Sequence, residues 1–309
     1  MSDPKDQHFV PQCYLRQFVD PNTPPQYEPY VWVFSKDGRK KKKKAPTNIF
    51  KERDLYTLQL RTGENDYSIE KTLAQVESEY ASAFEHKISN KLPLSAEEHL
   101  GLCIFVATML QRTLRHRDNI ERFLDELIEK TEVMEKAHGA EPKKSLELKS
   151  YKENAHKLGV VQLMPDITEL LIHMSIAFFC ADNNGAYFIT SDDPCTLFNP
   201  DLQWQKYYGP GLAQKNIELI LPLSPDIAVC MTWGNLKGYM HYEKGRIDEL
   251  NRMTRGHCQE YFISHSSKKK RIWFSHYPRN PIFFIRVISH KVRTRVDRWL
   301  AKLRYRHVR

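Results

Sequence analysis

Two adjacent carboxylates at the end of a strand-like run are the first residues in this chain whose types suggest chemistry. In FITSDDP, residues 188–194, aromatic and β-branched side chains lead into Ser191, Asp192 and Asp193, and Pro194 stops further pairing. Carboxylates at a strand end are placed to hold a divalent ion such as Mg²⁺ or Mn²⁺, or to act as a general base. Ser-Asp-Asp-Pro is equally a turn sequence, because short polar side chains bond nearby backbone N–H groups. A second set lies in QRTLRHR, residues 111–117, where Gln111, Arg112, Arg115 and His116 fall near the middle of an expected long helix. Guanidinium groups projected from one helix face suit phosphate or carboxylate. The competing role is a ladder of ion pairs with Glu121, Asp125 and Glu126. A third set is HFVPQCYLRQF, residues 8–18, in which His8, Gln12 and Arg16 lie four apart among large apolar residues. These polar groups either face a cleft or satisfy buried backbone where the segment docks.

Charge supplies a fourth set. The net charge is +9, yet Lys36–Lys44 holds seven basic residues and one acid, and 290–309 holds eight and one. Without those two stretches acids outnumber bases. Lys40, Lys41, Lys42, Lys43 and Lys44, with Arg293 and Arg304, therefore form a candidate nucleic-acid patch, since neutralising phosphates releases counterions. A like-charge run is also a common solvated strand, and an anionic membrane surface would attract the same charges.

These residues need elements to hold them. YEPYVWVFSKDGRKKKKKA reads as a hairpin, with 30–35 as one strand, KDG as the turn and the lysines as the return. RDLYTLQL, 53–60, alternates as a third strand. Ile69, Leu73, Val76, Tyr80, Phe84 and Ile88 recur every three or four residues, as on an amphipathic helix. A longer helix is expected from a capping box at Ser95 and Glu98 through to about 130, buried in its first half. A charged arm at 128–158 follows, then a buried helix over DITELLIHMSIAFFC. The last third returns to short strands in AYFITSDDP, IELILPLSPDIAVCMTW, EYFISH and PIFFIRVI, with a helix over GRIDELNRMTRGHCQ. The final helix, 290–309, carries Val292, Val296, Trp299 and Leu303 on one face and arginines on the other. Strands, then helices, then strands predict a single α+β domain over 1–309: a mixed sheet of N- and C-terminal strands around a central helical block at 66–181.

Laid out this way, the chain resembles a family known as domain of unknown function 4238. The resemblance rests on HFVPQCYLRQF, on QRTLRHR, on FITSDDP and on LPLSP at 221–225, with a looser match at LNRMTRGHCQEYFIS, 250–264. Members usually carry Asn where this chain has Asp193. The family brings a grouping and no reaction.

Composition bounds the rest. Hydrophobic content of 41% and aromatic content of 11% describe a folded chain. Six scattered cysteines without a CxxC pair suit reduced, buried thiols better than a disulfide framework or a zinc site. Cys195 beside the Asp pair is a possible nucleophile, although no histidine is tied to it in sequence, and a lone thiol is usually packing. The opening MSDPKDQHF lacks the apolar core of a secretory leader, and no apolar run is long enough to span a bilayer, so a soluble cytoplasmic protein is expected. GxxxxGK[ST], GxGxxG after a strand, HExxH and GxSxG are all absent. The leading expectation is a nuclease-like, metal-dependent hydrolase of a phosphate polyanion. In it His8, Asp192 and Asp193 are catalytic, the two aspartates hold the metal, and Gln12, Arg16, Gln111, Arg112, Arg115 and Ser191 bind substrate. The alternative is a non-catalytic module that binds nucleic acid or another partner through the basic patches. Neither sets an oligomeric state.

Overall fold

The computed structural model describes residues 6–59, 62–181, 185–199, 202 and 210–275. The expected helix at 290–309, with Arg293 and Arg304, lies outside the described residues, as does the strand expected over PIFFIRVI. The strands are β1 (Asp6–His8), β2 (Val31–Ser35), β3 (Lys41–Lys44), β4 (Lys51–Arg53), β5 (Leu58–Gln59), β6 (Asn65–Asp66), β7 (Ser175–Ala181), β8 (Thr190–Ser191), β9 (Thr196–Phe198), β10 (Glu218–Pro222), β11 (Ile227–Thr232), β12 (Gly238–Tyr242) and β13 (Tyr261–Ser264). The helices are α1 (Gln12–Leu15), α2 (Ser68–Ala83), α3 (Ala96–Gln111), α4 (Leu114–Ala137), α5 (Lys143–Lys152), α6 (Ala155–Gln162), α7 (Met164–His173) and α8 (Lys244–His257). The fold is α+β.

Two sheets dominate. One is mixed, in the order β12-β7-β11-β10-β9, with β12 parallel to β7 and the other pairs antiparallel. The other, β3-β2-β13-β8, is antiparallel and joins N-terminal to C-terminal strands. The helices of 68–173 pack on one another, α4 against α5 and α6. Helix α3 is apolar on most sides and lies against α2 and α7, with Phe105 stacked on Tyr80 at 3.6 Å between ring centroids. Its Ser95–Glu98 capping box is formed in both directions, which satisfies two of the N–H groups a helix start leaves open. The six apolar residues expected on one helix face are all buried, four on α2 and Phe84 and Ile88 on the π turn that ends it. One buried cluster runs from Tyr14, Leu15 and Phe18 through α2 and α3 to Leu219, Leu221 and Val229 of the five-stranded sheet.

Three expected elements take another form. The long helix of 95–130 is two helices, because Arg112 closes α3 and Thr113 turns extended (φ −72°, ψ 149°). The Thr113 hydroxyl then accepts the His116 N–H and starts α4. Arg112 and Arg115 therefore leave the shared face that an unbroken helix would give them. RDLYTLQL is not one strand: Asp54 adopts φ +53° and a turn separates β4 from β5. DITELLIHMSIAFFC is helix only as far as His173; Met174 is extended and SIAFFCA is the inner strand β7, between β12 and β11, where apolar side chains pack on both faces. The charged stretch after 128 continues α4 and folds back as α5, tied by Lys149–Glu132 and Lys152–Asp125 pairs.

Candidate functional site

The motifs dispersed along the chain meet at one junction. Tyr14, from the opening segment, is fully buried, and its hydroxyl lies 2.5 Å from Thr190 Oγ1 on β8 and donates to the Pro222 carbonyl at 2.6 Å. One phenol thus joins the segment to both sheets. Gln7, at the start of the segment, donates to Thr57 Oγ1 and accepts the Tyr56 N–H. The half-buried His8 offers its carbonyl to Arg112 Nη2 at 2.5 Å, while its buried Nε2 has no partner among the described residues. Burial holds the His8 ring below the usual histidine range. Gln12 and Arg16 pair with each other at 2.6 Å on the exposed side of α1.

Arg112 is buried and engaged: Nη1 meets Glu77 at 2.7 Å, and the guanidinium lies 5.5 Å from the Tyr56 ring. Gln111 is buried next to it, its side-chain amide donating to the Ala107 carbonyl and its backbone carbonyl 3.1 Å from His156 Nε2. His116 is close to His156, with ring centroids 6.5 Å apart, and burial lowers the pKa of both, that of His156 to about 4.

The two aspartates fold into this junction. Asp192 Oδ1 accepts the Gln259 N–H at 2.8 Å, and Oδ2 accepts those of Glu260 at 2.7 Å and Tyr261 at 2.8 Å. Burial pushes its carboxyl above the usual range, against the pull of the three donors. Ser191 makes the local turn, its hydroxyl donating to the Asp193 carbonyl at 2.7 Å. Asp193 Oδ2 faces Arg115 Nε and, at 3.1 Å, His257 Nε2; Arg115 also donates to the His257 carbonyl. A divalent ion at Asp192 would have to displace backbone donors, and one at Asp193 would stand against a guanidinium. Among the described residues no group of three or more His, Cys, Asp or Glu is arranged to hold a metal ion.

A cleft of about 390 Å³ opens on one face of the four-stranded sheet. Strand alternation decides which residues reach it. Ser35 is opposite Tyr261, and Val33 is opposite both Lys42 and Ile263, so these side chains share a face. Lys40, Lys42 and Lys44 rise on that face along the sheet edge. Lys41 and Lys43 point to the other face, where Lys41 lies 5.1 Å from the Trp32 ring and Lys43 4.5 Å from Tyr30. Gly38, at φ +70°, turns the hairpin; a Cβ there would collide with the Phe274 ring. The cleft's other walls are Phe9, Ile49, Phe50 and Leu114, and the 259–261 loop with Asp192. Phe50 holds φ +55°, a conformation that costs a bulky residue about 1–3 kcal/mol, and its carbonyl ties down the Phe9 N–H at 2.8 Å. Such strain places its ring against Phe9, 5.5 Å between centroids, at the cleft.

A family model described as "Protein of unknown function (DUF4238)" matches residues 6–268. The chain belongs to this family. No curated protein and no solved structure matches it. The stretches that carry the resemblance are the ones that meet here: opening segment, 111–117, 188–194, 221–225 and 250–264. No described helix is long and apolar enough to cross a membrane.

The structure thus joins His8 to Arg112 and Arg115 to Asp193, and places Asp192 in the lysine cleft. Gln12 and Arg16 lie apart from these pairings. Residues not singled out by sequence are His257, Phe50 and Tyr261. His257 and Tyr261 lie in GHCQEYF, where a helix gives way to a strand; Phe50 carries no sequence signal at all.

Proposed function

We propose that this protein binds phosphate-bearing polyanions, with the cleft over the lysine strand as the site. The observation that carries this reading is the alternation that aims Lys40, Lys42 and Lys44 at one cleft, with no carboxylate partner among the described residues. Unpaired cations aligned on a cleft wall attract polyanions and release their counterions. Asp192 belongs to the wall and holds the 259–261 loop in place. The experiment is retention of labelled polyphosphate, RNA and DNA by the full chain at graded salt. Binding that weakens with salt, and that a Lys40→Gln/Lys42→Gln/Lys44→Gln variant makes much weaker and less salt-dependent, is expected; binding that ignores salt or is unchanged by those substitutions refutes the reading.

Hydrolysis is a second reading, favoured by one contact. Asp193 orients the His257 ring through Nε2, an arrangement that suits an acid–base imidazole. RNA cleavage lost in His257→Gln with the melting temperature retained would support it, and the loss of cleavage on chelation would bring back a metal. Intact RNA under all conditions removes it.

A further inference from the structure

Resting on the polyanion reading of the same cleft, we infer that its ligand is a single-stranded nucleic acid, with the phosphates on Lys40, Lys42 and Lys44 and the bases on Phe50 and Tyr261. Three features of the cleft carry this. The first is spacing: alternate residues of a strand repeat every ~6.7 Å. Lys42 and Lys44 on β3, with Lys40 just before it, therefore form a ladder comparable in pitch to successive phosphates along a nucleic-acid strand. That pitch fits phosphates along one strand, and the choice of an unpaired strand rests on the aromatic surface beside it.

The second is the aromatic lining. Phe50, backed by Phe9, and Tyr261, 40% exposed, offer aromatic surface within the same cleft as the lysines. Bases stack on such surfaces whatever their sequence, and only a strand whose bases are unpaired can present them. Polyphosphate has nothing to place there. Phe50 holds its position against an unfavourable backbone angle, an arrangement found where a side chain must be aimed.

The third is polarity across the cleft. Glu260 and the buried Asp192 stand on the side of the sheet away from the lysine edge. The exposed Glu260 repels phosphate, so the backbone of a bound strand tracks β3 and its bases turn inward. Lys41 and Lys43, engaged with Trp32 and Tyr30 on the other face, take no part.

The test uses the full chain with fluorescent oligouridylate and oligothymidylate, a duplex of equal length, and polyphosphate, over a salt series. Either single strand is expected to bind at least tenfold more tightly than the duplex or polyphosphate. In Lys40→Gln/Lys42→Gln/Lys44→Gln the slope of log affinity against log salt should flatten by about 2, from ~0.7 per phosphate contact on a single strand. Lys41→Gln/Lys43→Gln should leave both affinity and slope as they are. Phe50→Gly, which removes the ring and relieves the backbone, should erase the preference for single strands over polyphosphate while retaining salt-dependent binding. If all polyanions bind alike through the three lysines, the single-strand inference falls and the polyanion reading stands. If none binds, the reading itself falls. Equal losses from the 40/42/44 and 41/43 variants overturn the ladder.

Discussion

The aspartate junction and the lysine wall are both dense in charge, and they use it in opposite ways. At the junction Asp192 is met by three N–H groups, Asp193 by Arg115 and His257, and Arg112 by Glu77 and the His8 carbonyl. On the wall, Lys40, Lys42 and Lys44 have no carboxylate partner among the described residues. A buried charge must be compensated by the protein itself, so its partners become part of the fold. A charge on an edge strand remains hydrated, and is available to a ligand while also keeping the edge from pairing with another chain. Charge density alone therefore does not mark a binding site; unfilled capacity does.

The sharpest way to break this contrast is at Asp192. Asp192→Ala leaves three N–H donors of the 259–261 loop without their acceptor and should destabilise the protein by about 3–5 kcal/mol in denaturant unfolding. A variant as stable as wild type would mean that the carboxylate is not structural. Next comes pH. His156 titrates near 4 in the fold and near 6.5 when unfolded, so the unfolded chain binds the proton first as pH falls. Its contribution is whole above pH 6.5 and is lost progressively toward pH 4, by about 3 kcal/mol. His156→Asn should flatten that part of the stability profile; an unchanged profile would show that the ring is not held neutral. Tyr14→Phe leaves the Pro222 carbonyl and Thr190 hydroxyl without the phenol and should cost about 1–3 kcal/mol. The lysine strand should respond least: on the face away from the cleft, Lys41→Ala/Lys43→Ala loses about 0.5–1 kcal/mol per cation–π contact. The 40/42/44 substitutions should stay within about 0.5 kcal/mol, as usual for surface changes. A large loss there would erase the distinction between the two regions.

Much of the fold was legible locally. The α2 periodicity, the Ser95 capping box and the lysine hairpin are short-range signals, set by side-chain spacing, cap chemistry and turn residues within a few positions. The break at Thr113 was not, because its cap partner is an N–H and a run of good helix formers hides it. Nor was β7, whose apolar run fits a buried helix or a central strand until neighbouring strands take its N–H and C=O groups. At the site, the turn role and the chemical role of Ser-Asp-Asp-Pro could not be separated without knowing what stands opposite.

By itself, then, the sequence determined the α+β pattern, the family and the alternation of the lysine strand, all consequences of neighbours in the chain. Tertiary structure decided that Asp192 meets a loop 67 residues away, that Asp193 meets Arg115 and His257, and that one face of the lysines meets an aromatic cleft. Those pairings join residues far apart in sequence, and only burial, which obliges each polar group to find a partner, selects among them.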